Sequence, residues 1–217
     1  MRIIIPGGSG LIGRRLAVFL ADAGHMCVVL SRDPSRTVPP PGVRVMPWDP
    51  CDYRRLTHIL SGFDAVVNLC GEGIADARWT ASRKVRLAES RIVPGQTLAR
   101  AIEHMSVRPE VFIQASGIGY YDQDPAAAPD ESSPSGIGFL AELALNWEAS
   151  TQSVEAMGLR RVVIRTGLVL ASEGGALPVM ARPFRYFLGG LMGSGRQWLA
   201  WIHILDEVRA IRFLLEN

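Results

Sequence analysis

Six short runs rich in valine and isoleucine recur along the chain, with longer stretches of helical periodicity between them. The runs are RIII at 2–5, CVVL at 27–30, VRVM at 43–46, AVVNL at 65–69, VFIQA at 111–115 and RVVIR at 161–165. Continuous apolar runs of this length are typical of parallel strands that are buried on both faces. The stretch LIGRRLAVFLADAG has an apolar face and ends at Gly24, so strand and helix alternate. This pattern predicts an α/β fold with a doubly wound, Rossmann-type parallel sheet.

The length of the chain and its apolar content set the expected number of domains. With 217 residues, of which 48% are hydrophobic, the chain can bury one sizeable core. We therefore expect a single domain over residues 1–217. Two stretches, 120–138 and 174–203, break the alternation, and long irregular stretches of this kind often carry binding loops. We expect both to be insertions that border a substrate cleft.

Charge and cysteine content argue against several kinds of partner. The 23 basic and 21 acidic residues give a net charge of +2 without a polybasic run, so we expect neither nucleic acid nor a membrane as a partner. Cys27, Cys51 and Cys70 form no C-x-x-C pair, which argues against a metal site and a disulfide framework and favours a reducing compartment. We expect no leader before the first strand run, and no apolar run approaches the roughly 18 residues of a membrane span. We expect a cytoplasmic protein that binds a small molecule.

Glycines spaced by three, Gly7, Gly10 and Gly13, follow the first strand run and open the first helical stretch. Glycine is needed where φ is positive, where the backbone approaches a pyrophosphate and where a helix packs closely on a strand. Because the helix begins with unpaired N–H groups and the positive end of its dipole, the turn predicts a site for the phosphates of a dinucleotide. The residues assigned to it are Gly7, Ser9, Gly10, Leu11, Ile12 and Gly13. The alternative is a tight strand-to-helix turn that binds nothing.

The end of the second strand indicates which dinucleotide is bound. An acidic residue at this point would accept a hydrogen bond from the adenosine ribose. The chain reads VVLSRDP instead, with Ser31 and Arg32 at the position, and a guanidinium suits a 2′-phosphate. We therefore expect NADP(H) in preference to NAD. Asp33 keeps NAD open, and Arg32 as a solvated turn residue is the second alternative.

Five further strings carry a family resemblance. They are VVNLCGEGIADARWTASRK at 66–84, QASGIGYYD at 114–122, FLAELALNWE at 139–148, VVIRTGLVLASEGGAL at 162–177 and GGLMGSGRQWLAWIHILDEVRAI at 189–211. Together with the glycine spacing, they resemble an atypical, epimerase-like family of the extended short-chain dehydrogenase/reductase superfamily, whose members are often labelled nucleoside-diphosphate-sugar epimerases. The resemblance covers the whole chain in order.

The resemblance implies roles for residues at the ends of the later strands. Asp49 would lie near the adenine, with capping of the next helix as its alternative. The turn after the fourth strand would run beside the ribose and phosphates, with Glu72 orienting a ribose hydroxyl or acting as a base. Ser116 would face the nicotinamide. The remaining residues assigned in this way are Leu69, Cys70 and Gly71 after the fourth strand and Arg165 and Thr166 at the end of the sixth.

The superfamily also has an acid–base pair that this chain lacks. A Tyr is followed four residues later by a Lys, whose charge favours the phenolate. Counting back from Glu148 in FLAELALNWE, the two positions fall at about Leu140 and Ala144, which cannot exchange a proton. Lys84 is the only lysine in the sequence and Thr80 stands four residues before it, so no Tyr-x-x-x-Lys occurs in the chain.

Residues at the end of the fifth strand are candidates to replace that pair. Ser116 would position a substrate oxygen and Tyr120 would exchange a proton with it, although the sequence identifies no cation beside Tyr120 or Tyr121. The alternative is that both tyrosines pack with their hydroxyls hydrogen-bonded. We expect an NADP(H)-binding, epimerase-like oxidoreductase that acts on an unidentified small polar substrate. The rival hypothesis is a non-catalytic dinucleotide-binding regulatory protein.

The resemblance implies one more departure, at the end of the chain. Members of the family usually continue beyond the equivalent of Asn217 into a segment that helps to form the substrate lobe. We therefore expect a small and incomplete lobe here, with apolar surface that is exposed or is covered in a homodimer.

Overall fold

The central sheet consists of six parallel strands that coincide with the six valine- and isoleucine-rich runs. The computed structural model describes residues 1–36, 39–121, 128–191 and 193–217. The strands are β1 (Arg2–Pro6), β2 (Met26–Ser31), β3 (Val43–Pro47), β4 (Ala65–Asn68), β5 (Val111–Gly117) and β6 (Arg160–Thr166). Their order is β3-β2-β1-β4-β5-β6, so the chain winds outward from β1 to one edge and then from β4 to the other. The prediction of a doubly wound, Rossmann-type sheet is confirmed.

Helices cover both faces of this sheet. They are α1 (Leu11–Asp22), α2 (Tyr53–Leu60), α3 (Ala81–Glu103), α4 (Phe139–Ala149), α5 (Ser153–Ala156), α6 (Ala176–Arg185) and α7 (Ile204–Glu216). The core beneath α1 and α7 includes Ile3 and Leu16, whereas the core beneath α2 and α3 includes Ile4 and Leu98. Ile3 and Ile4 enter opposite cores, which is why β1 has consecutive apolar residues after the exposed Arg2. Over the described ranges, no helix has both the length and the hydropathy of a membrane span.

The two middle strands of the sheet mark the place where a ligand is expected. β1 and β4 lie side by side although β2 and β3 separate them in the sequence. The chain leaves β1 toward α1 on one face and leaves β4 toward α3 on the other. Open α/β sheets bind ligands in the crevice that such a reversal creates at the carboxyl ends of the strands.

A smaller, three-stranded sheet follows β6. Its strands are β7 (Leu168–Ala171), β8 (Gly174–Gly175) and β9 (Trp201–His203), in the order β8-β7-β9. The predicted insertion 174–203 spans β8, α6 and β9, and its residues 182–191 are exposed. The predicted insertion 120–138 falls partly on residues 122–127, which lie outside the described part of the chain. The division into one domain with two cleft insertions stays a prediction.

Candidate functional site

The glycines of the β1–α1 turn serve different purposes. Gly7 has a φ of +76°, and a Cβ there would stand 2.5 Å from the carbonyl carbon of Leu69. A Cβ on Gly13 would stand 2.4 Å from the Cα of Gly8, so glycine here lets α1 pack closely on the turn. At Gly10, φ is −74° and the nearest atom to a Cβ would be the Gly7 oxygen at 3.4 Å. Neither strain nor internal packing requires glycine at position 10, and Gly10 has an open side toward the pocket.

The first turn of α1 offers backbone N–H groups to the same space. Gly10 is the N-cap of the helix and has no side chain that accepts from them. Leu11, Ile12 and Gly13 are the first helical residues, whose N–H groups have no acceptor within an α-helix. The first turn contains no acidic residue, so the positive end of the helix dipole is available to an anion.

A pocket of about 670 Å³ opens beside this turn and has the size of a small-molecule site. The sheet side is lined by Gly7, Ser9, Gly10, Leu30, Ser31, Arg32, Trp48, Pro50, Cys51, Leu69, Cys70, Gly71 and Glu72. Helix α3 supplies the opposite wall with Arg86, Glu89, Ser90, Val93 and Pro94. These α3 residues were not predicted from the sequence, although their spacing of three and four residues is that of one helix face.

The end of β2 brings a guanidinium to the pocket. Arg32 is exposed and lines the pocket. The neighbouring Ser31 is buried, and its hydroxyl oxygen accepts a hydrogen bond from the N–H of Asp33 at 3.2 Å. The Asp33 carboxylate accepts hydrogen bonds from the N–H and the hydroxyl of Ser35. The acidic side chain is therefore engaged in a local turn, whereas the basic side chain lines the pocket.

Asp49 lies in the turn between β3 and α2. Its carboxylate accepts the N–H of Cys51 at 2.8 Å, and the residues on both sides of it line the pocket. The N-cap of α2 is Asp52, whose side chain accepts the N–H of Arg55 at 3.0 Å. The alternative that Asp49 caps this helix is therefore wrong, and Asp49 instead holds a turn that borders the pocket.

The turn after β4 forms another side of the pocket through residues 69–72. The Cys70 N–H donates to Asn68 Oδ1 at 3.2 Å, and the Asn68 side chain donates in turn to Gln114 Oε1 at 3.0 Å. Burial raises the pKa of the Cys70 thiol to about 12, so this group is a protonated thiol at neutral pH. Cys70 is thus both a buried residue and part of the pocket lining.

A second group of polar side chains lies where β5 and β6 end. Ser116 and Arg165 are register partners on these strands. The Ser116 hydroxyl donates to Glu148 Oε1 at 2.6 Å. The same carboxylate accepts two hydrogen bonds from Arg165, from Nε to Oε1 at 2.8 Å and from Nη2 to Oε2 at 2.9 Å. Arg165 Nη1 also donates to the Tyr121 hydroxyl at 2.8 Å, so the four side chains are joined in one hydrogen-bonded network.

Arg165 places a positive charge against both tyrosines of this region. Its guanidinium carbon lies 3.5 Å from the ring centre of Tyr120 and 5.0 Å from that of Tyr121. The hydrogen bonds to Glu148, aided by the one to Tyr121, raise the pKa of the Arg165 guanidinium above its usual range despite the opposing effect of burial. The cation that the sequence did not identify is therefore an arginine of the adjacent strand.

Leu140 and Ala144, where the family resemblance leads us to expect the superfamily's Tyr and Lys, lie on α4. Leu140 packs on the turn after β5, since a Cβ on Gly119 would stand 3.2 Å from the Leu140 Cβ, and Ala144 is buried. The single lysine of the chain stands elsewhere, with Lys84 Nζ 5.0 Å from the ring centre of Phe139 at the start of α4. The structure therefore places apolar side chains at both positions.

A buried carboxyl lies just beyond β6. Thr166 Oγ1 donates to Glu207 Oε1 at 2.8 Å, and burial raises the pKa of Glu207. His203 is the N-cap of α7, where its Nδ1 accepts the N–H of Leu205 at 3.3 Å. Within the described ranges, no group of three or more His, Cys, Asp or Glu side chains is arranged to hold a metal ion.

Comparisons with known proteins agree on the family. Residues 3–217 match the model described as the NAD dependent epimerase/dehydratase family. Epimerase family protein ML0860 of Mycobacterium leprae is 38% identical over 215 residues, which are 99% of this chain and 68% of that protein. The crystal structure of human epimerase family protein SDR39U1 with NADPH has a TM-score of 0.87 at 35% identity and covers 100% of this chain and 70% of that one. The structure of a dTDP-glucose 4,6-dehydratase of Streptomyces venezuelae with NAD bound has a TM-score of 0.84 at 20% identity. The match covers 100% of this chain and 72% of that one, and at this identity it shows the fold alone.

Proposed function

Because the chain belongs to the NAD dependent epimerase/dehydratase family, we propose that it binds NADP(H) beside the β1–α1 turn and acts as an epimerase-like oxidoreductase on a small polar substrate. The observation that carries this proposal is the open side of Gly10 next to the uncapped start of α1, at the edge of a pocket of about 670 Å³. A phosphate supplies the acceptors that these N–H groups lack. The human relative that contains NADPH supports the proposal.

The residues that would hold the cofactor fall into three groups. The pyrophosphate group is Gly7, Ser9, Gly10, Leu11, Ile12 and Gly13, and the adenosine group is Ser31, Arg32 and Asp49. The third group is Leu69, Cys70, Gly71 and Glu72, which would run beside the ribose and phosphates, together with Ser116, Arg165 and Thr166 toward the nicotinamide. When bound, the cofactor supplies a hydride donor or acceptor. The protein's own part is to bind, to orient and to move a proton.

The preference for NADP(H) over NAD rests on the end of β2. Arg32 lines the pocket there, while the Asp33 carboxylate is engaged with Ser35. A guanidinium forms charge-assisted hydrogen bonds with a 2′-phosphate, whereas NAD carries a hydroxyl at this position. Structures of similar fold contain either cofactor, NADPH in the human relative and NAD in the dehydratase, so the preference depends on this chain's own residues.

We assign the proton exchange to Ser116 and Tyr120. The Ser116 hydroxyl gives its hydrogen to Glu148, so its oxygen is left as an acceptor for a substrate hydroxyl. In the reductive direction, the Tyr120 hydroxyl would donate its proton to the substrate oxygen. The Arg165 guanidinium over the Tyr120 ring stabilises the negative charge that the ring then gains. An arginine of β6 would in this way take the place of the missing lysine.

A second function is favoured by a specific observation. Leu140 and Ala144 stand where the family resemblance leads us to expect the superfamily's Tyr and Lys, and the Ser116 hydroxyl is already bonded within the protein. A protein that binds a dinucleotide without turning it over needs neither an acid nor a free serine. The rival function is therefore a non-catalytic, dinucleotide-binding regulatory protein.

Two measurements separate these functions. Fluorescence titration with NADPH and NADH should show NADPH binding at least about tenfold more tightly, and equal affinity would contradict the preference. Stopped-flow oxidation of bound NADPH across a panel of carbonyl compounds and nucleotide sugars should then give turnover with at least one of them. Tight binding without turnover on the whole panel supports the regulatory function, and absence of binding rejects both.

We further propose that the protein acts in the cytoplasm, with a small molecule rather than nucleic acid or a membrane as its partner, and that it forms a homodimer. The three cysteines are free, as expected in a reducing compartment. Large apolar side chains, including Phe184, Phe187 and Leu188, are exposed in α6 and after it, and a second copy would cover such surface. Sedimentation velocity over a range of protein concentrations tests the dimer.

A further inference from the structure

Two arginines of α3 lie directly behind the part of the pocket wall that Gly71 and Glu72 form. Arg83 and Arg91 are 7% and 5% exposed, although guanidinium groups are rarely buried to this extent. Arg91 Nη2 donates to the Glu72 carbonyl oxygen at 2.9 Å, and Arg83 Nη2 donates to that of Gly73 at 2.7 Å. The turn is therefore held from behind by two cations.

Arg91 approaches the pocket most closely at Gly71. A Cβ on Gly71 would stand 3.0 Å from the guanidinium carbon of Arg91, and Gly71 itself lines the pocket. The other side of the guanidinium faces the Trp147 ring of α4, whose centre is 4.9 Å away. The backbone of one turn thus stands between this charge and a ligand in the pocket.

The buried charges of this wall do not balance. Arg83 forms an ion pair with the Glu72 carboxylate, whose side chain is 32% exposed. Arg91 is bonded instead to neutral acceptors, namely the carbonyl oxygens of Leu87 and Glu72 and the Ser90 hydroxyl. Burial and then the neighbouring Arg83 charge lower the pKa of Arg91 to about 10, so Arg91 is still charged at neutral pH. One positive charge therefore has no buried counter-charge among the described residues.

The exposed charges around the wall do not remove this excess. Arg86 and Glu89 on the pocket rim carry opposite charges. The exposed Asp76 carboxylate beside Gly73 is screened by solvent. In addition, Arg83 Nε is buried without a hydrogen-bond partner in the described part of the chain, so packing and hydrogen bonding within the protein leave the cluster incompletely satisfied.

We propose that Arg83 and Arg91 are positioning residues that make this wall of the pocket electrostatically complementary to the phosphates of a bound nucleotide, without touching the nucleotide. The inference rests on the proposed function, because the anion is the cofactor. If these two positions served only for packing, apolar side chains would fill them at a lower free-energy cost, because burying a charge requires desolvating it. In this arrangement, the negative charge of Glu72 reduces the attraction that the two arginines exert on the phosphates.

The test breaks the Arg83–Glu72 ion pair from either side. Arg83→Gln and Glu72→Gln remove the same pair but change the charge of the wall in opposite directions. In NADPH titrations at low ionic strength, Arg83→Gln should weaken binding and Glu72→Gln should strengthen it, each by about threefold to tenfold. Both effects should shrink as salt is added. A weakening of similar size in both variants would overturn the proposal, because it is the result of a purely structural pair.

Two comparisons keep the test decisive. Arg100→Gln makes the same change in net charge on the same helix, at an exposed arginine that stacks on Tyr53 at 3.9 Å, and should leave the affinity unchanged. Thermal unfolding shows whether each variant is folded. If Arg83→Gln is unfolded, the same test is made at Arg91. Arg91→Lys should then retain NADPH affinity, and Arg91→Gln should lose it. Equal affinities of these two variants count against the proposal, whereas a wild-type protein that does not bind NADPH contradicts the proposed function instead.

Discussion

The polar groups of the pocket and those at the ends of β5 and β6 are arranged in opposite ways. In the pocket, the uncapped start of α1, the open side of Gly10 and the guanidinium of Arg32 border empty space. At the ends of β5 and β6, Glu148 and Arg165 bond to each other and to hydroxyl groups of the protein. The first region lacks partners that a ligand supplies, whereas in the second the charged groups are paired within the protein.

This difference predicts different consequences for binding and for stability. A preorganised, unsatisfied site gains hydrogen bonds when a ligand enters and loses little conformational freedom. A ligand that enters a hydrogen-bonded network has to replace existing hydrogen bonds, each of which contributes about 0.5–1.5 kcal/mol. Substitutions in the pocket should therefore change cofactor affinity, and substitutions in the network should change mainly the free energy of unfolding.

The largest effect is expected at Gly7. Gly7→Ala combines a left-handed φ with a Cβ 2.5 Å from the Leu69 backbone, so it should cost about 3–5 kcal/mol of unfolding free energy and abolish NADPH binding. Gly24→Ala is the matched control, since Gly24 has a φ of +85° and no atom within 4 Å of a Cβ. It should cost about 1–2 kcal/mol and leave binding intact. Urea unfolding measures the loss of stability and NADPH titration measures the loss of affinity. Equal losses in the two variants would contradict a special role of the β1–α1 turn.

Next in size is the loss of the carboxylate at the centre of the network. Glu148→Gln leaves the largely buried Arg165 without its counter-charge and should lower the unfolding free energy by about 2–4 kcal/mol. NADPH affinity should stay within about twofold, well below one tenfold step. Glu155→Gln breaks an ion pair whose carboxylate is 51% exposed and should cost less than about 1 kcal/mol. A large loss of NADPH affinity in Glu148→Gln alone would show that the two regions are not separate.

A selective effect on one cofactor is expected at Arg32. Arg32→Ala removes a guanidinium from the pocket lining and should weaken NADPH binding about 10-fold to 100-fold, the size of a charge-assisted hydrogen bond. NADH binding should not change. Arg14→Ala removes an exposed arginine of α1 and controls for net charge. Isothermal titration with both nucleotides checks the prediction, and an equal loss for NADH would mean that Arg32 does not read the 2′-phosphate.

A smaller, pH-dependent effect is expected at Glu207. Burial raises its pKa, so the folded protein holds the proton more tightly than the unfolded chain does, and stability is lost as pH rises through the interval between the two values. Glu207→Gln should therefore become more stable relative to the wild type as pH increases, by less than about 1 kcal/mol. Chemical denaturation at a series of pH values from about 4 to 7 measures the difference. A difference that does not vary with pH would place the Glu207 carboxyl in a solvated environment.

The smallest perturbation is a chemical one that leaves the fold intact. Cys51 is exposed and lines the pocket, while burial raises the pKa of Cys27 to about 11 and that of Cys70 to about 12. Iodoacetamide at neutral pH should therefore label Cys51 first, and NADPH should slow the reaction. Mass spectrometry of peptides from labelled protein identifies the site. Labelling of Cys70 at the same rate would mean that the pocket side formed by residues 69–72 opens to solvent.

The parts of the site that the sequence predicted are those specified by neighbouring residues. Gly7, Gly10 and Gly13 were found because a strand, a turn and a helix follow one another within a short stretch. Gly7 and Gly13 answer local requirements of that turn, whereas Gly10 has an open side toward the pocket. Arg32 was found in the same way, since it follows directly on β2. The four inner strands β1, β2, β4 and β5 were found because burial on both faces leaves a continuous apolar run. The edge strands β3 and β6 were found from shorter valine- and isoleucine-rich runs, although they are only partly buried.

The parts that the sequence did not reveal depend on the docking of helices onto the sheet. The α3 wall of the pocket and the arginines behind Gly71 become recognisable once α3 is placed against the turn after β4.

The network at the ends of β5 and β6 is of the same kind. Arg165 meets partners 17 and 44 residues away in the chain, Glu148 and Tyr121. Local periodicity fixed the strands, the helices and the phosphate-binding turn, because each is a property of adjacent residues. The cation beside the tyrosines and the charge behind the pocket were decided by tertiary structure alone, because both arise from side chains that meet when separate elements pack.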